Sequence, residues 1–178
     1  MNLNDLKDKR VMHVDTSCKL HENVDTGIAF KMIKTNEHKG FGLSLKLKRE
    51  LERDLYADMD RARLYAICIY YIIKEDLDLF DILVICGDED PELVKDYLSI
   101  LFENERKYGE KTVISVSELR RITGNKTIKS YAHGVANSYR RRARKSLVRQ
   151  QKGTPLRVVP INYSLIYTKW MELERKKL

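Results

Sequence analysis

The chain has 178 residues, enough for one globular domain with a real core, and its 43% apolar and 34% charged residues exclude a wholly disordered or collagen-like protein. No apolar stretch is long enough to cross a bilayer and the N-terminus lacks the apolar centre of a signal sequence, so we predict a cytoplasmic protein with no membrane association. Cys18, Cys68 and Cys86 follow no zinc-ligand spacing and are interpreted as reduced thiols in the core.

Charge is divided unevenly along the chain. Residues 1–118 hold 18 Lys and Arg against 24 Asp and Glu, a net charge of −6, whereas residues 119–171 hold 13 Lys and Arg and no acid. A solvated surface normally mixes both signs. The second segment therefore indicates a surface that binds a polyanion, although a merely basic exterior is the alternative.

The N-terminal half is predicted to form three strands and a helix. Val11–Ser17 and Thr26–Lys34 are strand-like runs that suggest an antiparallel hairpin. The stretch Phe41–Lys48 alternates apolar and polar residues, as in a strand with one buried face. From about Glu50 to Lys74 the apolar residues recur at helical spacing, which predicts one long amphipathic helix.

The C-terminal half alternates strands and helices. Ile82–Cys86 and Lys111–Val116 are predicted strands, and helices are predicted from Pro91 to about Lys107, from Ser117 for one turn, and from Lys126 to about Val148. The segment Gly153–Pro160 breaks this pattern as a short strand or loop. A terminal helix over Tyr163–Lys177, anchored by Ile166, Trp170 and Leu173, could pack on the body of the chain or form a homodimer.

Acidic residues stand at two predicted strands: Asp15 within the first, and the sequence Gly-Asp-Glu-Asp, Gly87–Asp90, directly after the fourth. This order of strands and helices with these acids resembles the ribonuclease H-like superfamily over roughly residues 11–148. The resemblance implies an α/β fold whose mixed sheet has three antiparallel strands followed by a βαβ unit, flanked by helices. It implies a domain at residues 1–150 and a C-terminal extension at 151–178.

In the ribonuclease H-like fold the first and fourth strands are neighbours, so the resemblance implies that Asp15 and Asp88 meet. Hard carboxylate oxygens suit Mg²⁺ or Mn²⁺, and two such ions can hydrolyse a phosphodiester. The alternative for Asp88, Glu89 and Asp90 is capping of the following helix. The alternative for Asp15 is an ion pair with Lys19 or Arg10.

The family usually places a third carboxylate on the first helix, where five acids compete here: Glu50, Glu52, Asp54, Asp58 and Asp60. Asp58 falls on the apolar side of the predicted helix and is our choice for the third metal ligand. If the helix instead starts near Asp58, this acid is only a cap. For the family's last ligand the sequence offers His133, which could bind metal, move a proton, contact phosphate, or have no such role.

A basic run follows His133. We predict that six residues contact the phosphate backbone of nucleic acid: Lys126, Lys129, Arg140, Arg141, Arg144 and Lys145. Tyr131 or Tyr139 could stack on a base, with a core position as the alternative for Tyr139. A solvated helix face is the alternative for the whole run.

The leading hypothesis is therefore a metal-dependent nuclease acting on DNA or RNA, with Asp15, Asp58, Asp88 and His133 as catalytic residues. A non-catalytic nucleic-acid-binding protein that retains the fold is the second hypothesis. A phosphohydrolase of the haloacid dehalogenase type is the third, but that family has an acid where this chain has Ser17. The sequence contains no glycine-rich phosphate-binding loop, so we predict no nucleotide cofactor.

Overall fold

The computed structural model describes residues 8–55, 60–144 and 157–176. These residues form an α/β protein in which helices flank one mixed sheet. The strands are β1 (Val11–Thr16), β2 (Thr26–Met32), β3 (His38–Leu43), β4 (Ile82–Ile85), β5 (Thr112–Ser115) and β6 (Arg157–Val158). The helices are α1 (Leu45–Asp54), α2 (Arg61–Ile73), α3 (Pro91–Leu101), α4 (Arg106–Gly109), α5 (Val116–Thr123), α6 (His133–Arg144) and α7 (Tyr163–Lys176).

The sheet has six strands in the order β5-β4-β1-β2-β3-β6. Strands β1, β2 and β3 are antiparallel neighbours, as the hairpin pattern predicted. Strand β4 joins the other side of β1 in parallel, with Val14 opposite Ile85, and β5 is parallel to β4. The expected adjacency of the first and fourth strands is therefore present.

The two faces of the sheet carry different helices. Because side chains alternate along a strand, Met12 and Val14 of β1 enter the main core, where they meet apolar residues of α2, α3 and α7. His13 and Asp15 point to the opposite face, against which α6 packs. Strand alternation thus places Asp15 on the same side as the basic helix.

Helix α6 lies directly on the backbone of β2 and β3. A Cβ atom built on Gly27 would lie 1.9 Å from the Ala136 carbonyl oxygen, and one on Gly42 would lie 2.5 Å from the Ala143 Cβ. Ala29, Ala136 and Tyr139 form a small buried cluster at this contact. Glycine and alanine therefore set the height of α6 above the sheet.

The predicted third strand and first helix are wrong in their boundaries. The strand ends at Leu43, because the Ser44 side chain accepts a hydrogen bond from the Leu47 amide and caps α1. The single helix predicted over residues 50–74 is two helices, and α2 begins only at Arg61. Lys48, expected on an exposed strand face, is 1% exposed and donates to backbone carbonyls of the β1–β2 connection.

Two further helices are shorter than predicted. The helix that starts at Pro91 ends at Leu101, and the helix predicted from Lys126 begins at His133. Lys126 and Lys129 consequently lie in the segment between α5 and α6 and not on a helix. The terminal helix occurs as predicted, and its three anchors, Ile166, Trp170 and Leu173, are buried in the main core.

Helix α7 therefore packs on the body of the chain, through contacts with α1, α2 and α3. Within the described ranges, no helix combines the length and apolar character that crossing a bilayer requires.

Candidate metal and nucleic-acid site

Asp15 and Asp88 meet at one edge of the sheet. A carboxylate oxygen of each and the sulfur of Cys86 all lie within 4.8 Å of one another. The Thr16 hydroxyl donates a hydrogen bond of 2.6 Å to Asp88 Oδ2, which joins the end of β1 to the loop after β4. The parallel pairing of β1 and β4 is the cause, since it brings the carboxyl ends of both strands to the same edge.

Asp15 is held in a largely dry position. Its residue is 5% exposed, and burial raises the pKa of its carboxyl above the ordinary 3.8. Hydrogen bonds from Cys86, the Thr16 amide and Ser130, together with the nearby His133, oppose this rise in pKa only in part. The carboxylate is therefore a group whose charged form would gain from a cation beside it.

The alternative partners considered for Asp15 lie elsewhere. Arg10 pairs with Asp81 at 2.8 Å, at the start of β4 and not at its end. Lys19 is exposed and acts on Glu89, where its charge lowers the carboxyl pKa. The ion-pair explanation of Asp15 is thus not supported by the described residues.

Cys86 completes the group, a position that the sequence did not predict. Its sulfur lies 3.1 Å from the hydroxyl of the fully buried Tyr65 and 3.8 Å from Asp88 Oδ2. Burial raises the pKa of the thiol far above its usual range, so Cys86 stays protonated at neutral pH. A protonated thiol donates to the carboxylates and is not a ligand for Mg²⁺. Its interpretation as a buried reduced cysteine is confirmed.

His133, the first residue of α6, lies beside Asp15. Its Nδ1 is 3.4 Å from Asp15 Oδ2, and its side chain is 64% exposed. The sequence-predicted residues Asp15, Asp88 and His133 are therefore brought together from β1, the β4–α3 loop and α6. An exposed imidazole in this position can contact both the acid pair and a ligand from solvent.

Asp58 lies outside the described residues. Asp54 is exposed and pairs with the neighbouring arginine, and Asp60 caps α2 by accepting from the Arg63 amide. Asp90 accepts from the Glu92 amide at 2.9 Å and caps α3, so the capping alternative is correct for Asp90.

Glu89 is a further acid that sequence reasoning treated only as a cap. One of its carboxylate oxygens, Oε1, is shielded from solvent without a hydrogen-bond partner among the described residues. Burial raises the pKa of its carboxyl, the charge of Asp88 adds to the rise, and Arg61 opposes it. Its position directly after Asp88 adds negative charge to the same loop, and only adjacency in sequence could have indicated this.

The structure describes the side chains of four of the six residues predicted to contact phosphate. Lys126, Lys129 and Arg141 are exposed. Arg140 is half-buried, and its Nε has no partner among the described residues. Lys145 and the side chain of Arg144 lie outside the described part of the chain. Because Ser130 contacts Asp15, the segment that carries Lys126 and Lys129 passes the acid pair.

The two tyrosines considered for base stacking differ in their exposure to solvent. Tyr139 is fully buried and donates to the Arg157 carbonyl oxygen at 3.0 Å, so its core alternative is correct. Tyr131 is 56% exposed and precedes His133 by two residues. Tyr131 is therefore the tyrosine of this pair that can stack on a ligand.

The fold and site define an α/β protein with paired acidic residues at the carboxyl ends of two parallel strands. Comparison with protein-family models, with curated proteins and with solved structures found no match to this chain.

Proposed function

We propose that the chain is a divalent-metal-dependent nuclease with a ribonuclease H-like fold that hydrolyses phosphodiester bonds in DNA or RNA. The observation that carries the proposal is the meeting of Asp15 and Asp88 within 4.8 Å, from strands about 70 residues apart in sequence, at one sheet edge. The adjacent placement of β1 and β4, with β1 to β3 antiparallel, agrees with the fold that the resemblance implies.

The donor set fits Mg²⁺ or Mn²⁺. Two carboxylates are the protein ligands that Mg²⁺ commonly takes, the remaining positions being filled by water and substrate phosphates. Burial disfavours the charged form of Asp15 and so raises the pKa of its carboxyl. A cation beside this carboxylate would stabilise the charged form. Divalent ions bound there would activate a water molecule and stabilise the departing oxygen, which is the predicted two-metal chemistry.

The chain's own residues supply the rest of the proposed site. Asp15 and Asp88 hold the metal, and Thr16 fixes the orientation of Asp88 through its hydroxyl. His133 is placed to accept or donate a proton beside Asp15. Lys126, Lys129 and Arg141, whose side chains are exposed, hold the phosphate backbone together with the half-buried Arg140.

The test is cleavage of labelled single-stranded, duplex, hybrid and branched substrates with Mg²⁺ or Mn²⁺. We expect Asp15→Asn and Asp88→Asn each to lower the cleavage rate at least about a hundredfold, because each removes a ligand charge. Asp81→Asn is the matched control, since Asp81 lies at the opposite end of β4 and pairs with Arg10. No cleavage by the wild type, with no metal binding by calorimetry, would reject the proposal.

A second candidate is a nucleic-acid-binding protein without catalysis. The observation that favours it is the composition of the site, because the ligand group found among the described residues contains two carboxylates and a thiol. Salt-dependent binding without turnover, unchanged in Asp15→Asn, would select this candidate over the nuclease.

A further inference from the structure

A cavity of about 270 Å³ lies over the first half of β1, around Val11 and His13. Its walls are mainly apolar and come from β1, the end of β2 and the α5–α6 region: Val11, Ile33, Leu119 and Ile128. His13 and Tyr131 also line it. The cavity is slightly smaller than pockets that take drug-sized ligands, which suits a single flat ring system.

His13 has no structural explanation within the described residues. It is fully buried, and neither ring nitrogen has a hydrogen-bond partner in the described part of the chain. Such a group costs stability unless something pairs with it. In its neutral form the imidazole ring offers one hydrogen-bond donor and one acceptor.

Tyr131 covers His13. The two ring centroids are 5.1 Å apart and the rings meet edge to face, while Tyr131 itself is 56% exposed in the turn before α6. A movement of this exposed side chain would give a ligand in the cavity access to the imidazole. Tyr131 can then stack on a ring that enters, as aromatic residues do with bases of single-stranded nucleic acid.

The position of the cavity ties it to the acid pair. His13 and Asp15 share one face of β1 and are two residues apart, which corresponds to about 7 Å along the strand. Tyr131 precedes His133 by two residues, so one segment lines the cavity and contacts Asp15. Two exposed cations, Lys9 and Lys34, also line the cavity, and among the described residues no acid does.

We propose that this cavity holds one unpaired base of the nucleic acid whose backbone lies at the acid pair, an inference that rests on the proposed function. Apolar walls accept the faces of a base, and a neutral imidazole can pair with its polar edge. Lys9 and Lys34 suit the attached phosphates. A base in a stacked duplex cannot enter, so the substrate is a single strand, or a duplex that extrudes a nucleotide at this point.

The test measures binding without divalent ions, in EDTA, by fluorescence anisotropy. The probes are a labelled oligothymidylate of about 12 nucleotides, within the usual site size, and an abasic oligonucleotide of equal length and charge. We expect the wild type to bind the base-containing strand about tenfold more tightly, within the range of one base-stacking interaction. Equal affinity for both probes would overturn the proposal.

Three variants locate the preference. Tyr131→Ala removes the stacking ring and Ile33→Trp fills the cavity from its rim, so each should bind both probes equally. Tyr167→Ala is the matched control, because Tyr167 is 37% exposed on α7 and does not line this cavity; it should keep the full preference. A preference retained in Tyr131→Ala and Ile33→Trp would contradict the base site.

His13→Phe separates binding from folding. We expect an equal or higher melting temperature, because an unpaired buried imidazole is replaced by an apolar ring, together with a reduced preference for the base-containing strand. Full preference in this variant would reject the role of His13. Cleavage is measured in the separate assay with Mg²⁺ or Mn²⁺. A preference in EDTA together with no cleavage in that assay rejects the nuclease and keeps the base site, whereas cleavage without the preference rejects the base site alone.

Discussion

Substitution of Gly27 by alanine should lift α6 away from the sheet. The added Cβ would lie 1.9 Å from the Ala136 carbonyl oxygen and 2.6 Å from the Arg140 amide nitrogen. Both are backbone atoms of one helix, so no side-chain rotation relieves the clash. To bring the Cβ–oxygen separation from 1.9 Å to an ordinary 3.4 Å, the helix must retreat by about 1.5 Å.

We expect Gly27→Ala to lower the free energy of unfolding by about 1–3 kcal/mol, the usual cost of overpacking. Gly134→Ala is a matched control in the first turn of α6 itself: its Cβ would meet nothing within 4 Å, and alanine favours the helical backbone over glycine. Urea unfolding followed by circular dichroism should therefore give opposite signs for the two variants. Gly27→Ala within about 0.5 kcal/mol of the wild type would refute the close approach of α6 to β2.

Three other predictions use stability alone. Because the folded-state pKa of Asp15 is raised, the contribution of this residue to stability falls as the pH rises above about 3.8. Asp15→Asn should therefore be more stable than the wild type at pH 7 without metal, and urea titrations across pH should show the difference vanish in acid. Arg10 lowers the pKa of Asp81 to about 2. This exposed pair should therefore contribute less than about 1 kcal/mol to the free energy of unfolding above pH 4, and that contribution should disappear as the pH falls towards 2. Asp81→Asn should remove this pH dependence. The guanidinium of Arg63 on α2 lies 4.5 Å from the centre of the Trp170 ring on α7. Arg63→Ala should therefore lower the free energy of unfolding by about 2 kcal/mol. It should also shift the fluorescence emission of the single tryptophan to longer wavelength.

Both members of the acid pair could be predicted, because each is a carboxylate next to an apolar, strand-like run in the sequence. Asp15 interrupts an apolar strand, and Asp88 follows another directly. The resemblance then supplied what periodicity cannot, the pairing of β1 with β4. Cys86 was interpreted correctly as buried, but nothing in its spacing showed that its sulfur would lie within 4.8 Å of both carboxylates.

The boundary between β3 and α1 could not be predicted from alternation. Leu45 and Leu47 continue the period-two pattern of the strand by coincidence, while Ser44 ends it by capping a helix. Lys48 is also misleading, because its buried ammonium donates hydrogen bonds to backbone carbonyl oxygens of the β1–β2 connection. Such a role depends on tertiary contacts and leaves no local pattern.

The late start of α6 had a signal that helical spacing concealed. Gly124 adopts the left-handed conformation, with φ of 67°, and ends α5. The Asn125 side chain then accepts hydrogen bonds from the amide and hydroxyl of Thr127, which stabilises a turn. Ile128, expected on the apolar face of a helix, instead lines the cavity above β1.

The pairing of β1 with β4 also has a kinetic consequence. Strands β1 to β3 are joined by short connections and can form early, whereas Val11 meets Ile82 only after a long loop has closed. We therefore expect the two carboxylates to come together late, on the native side of the folding barrier. Cations that bind the pair should slow unfolding and leave the refolding rate nearly unchanged.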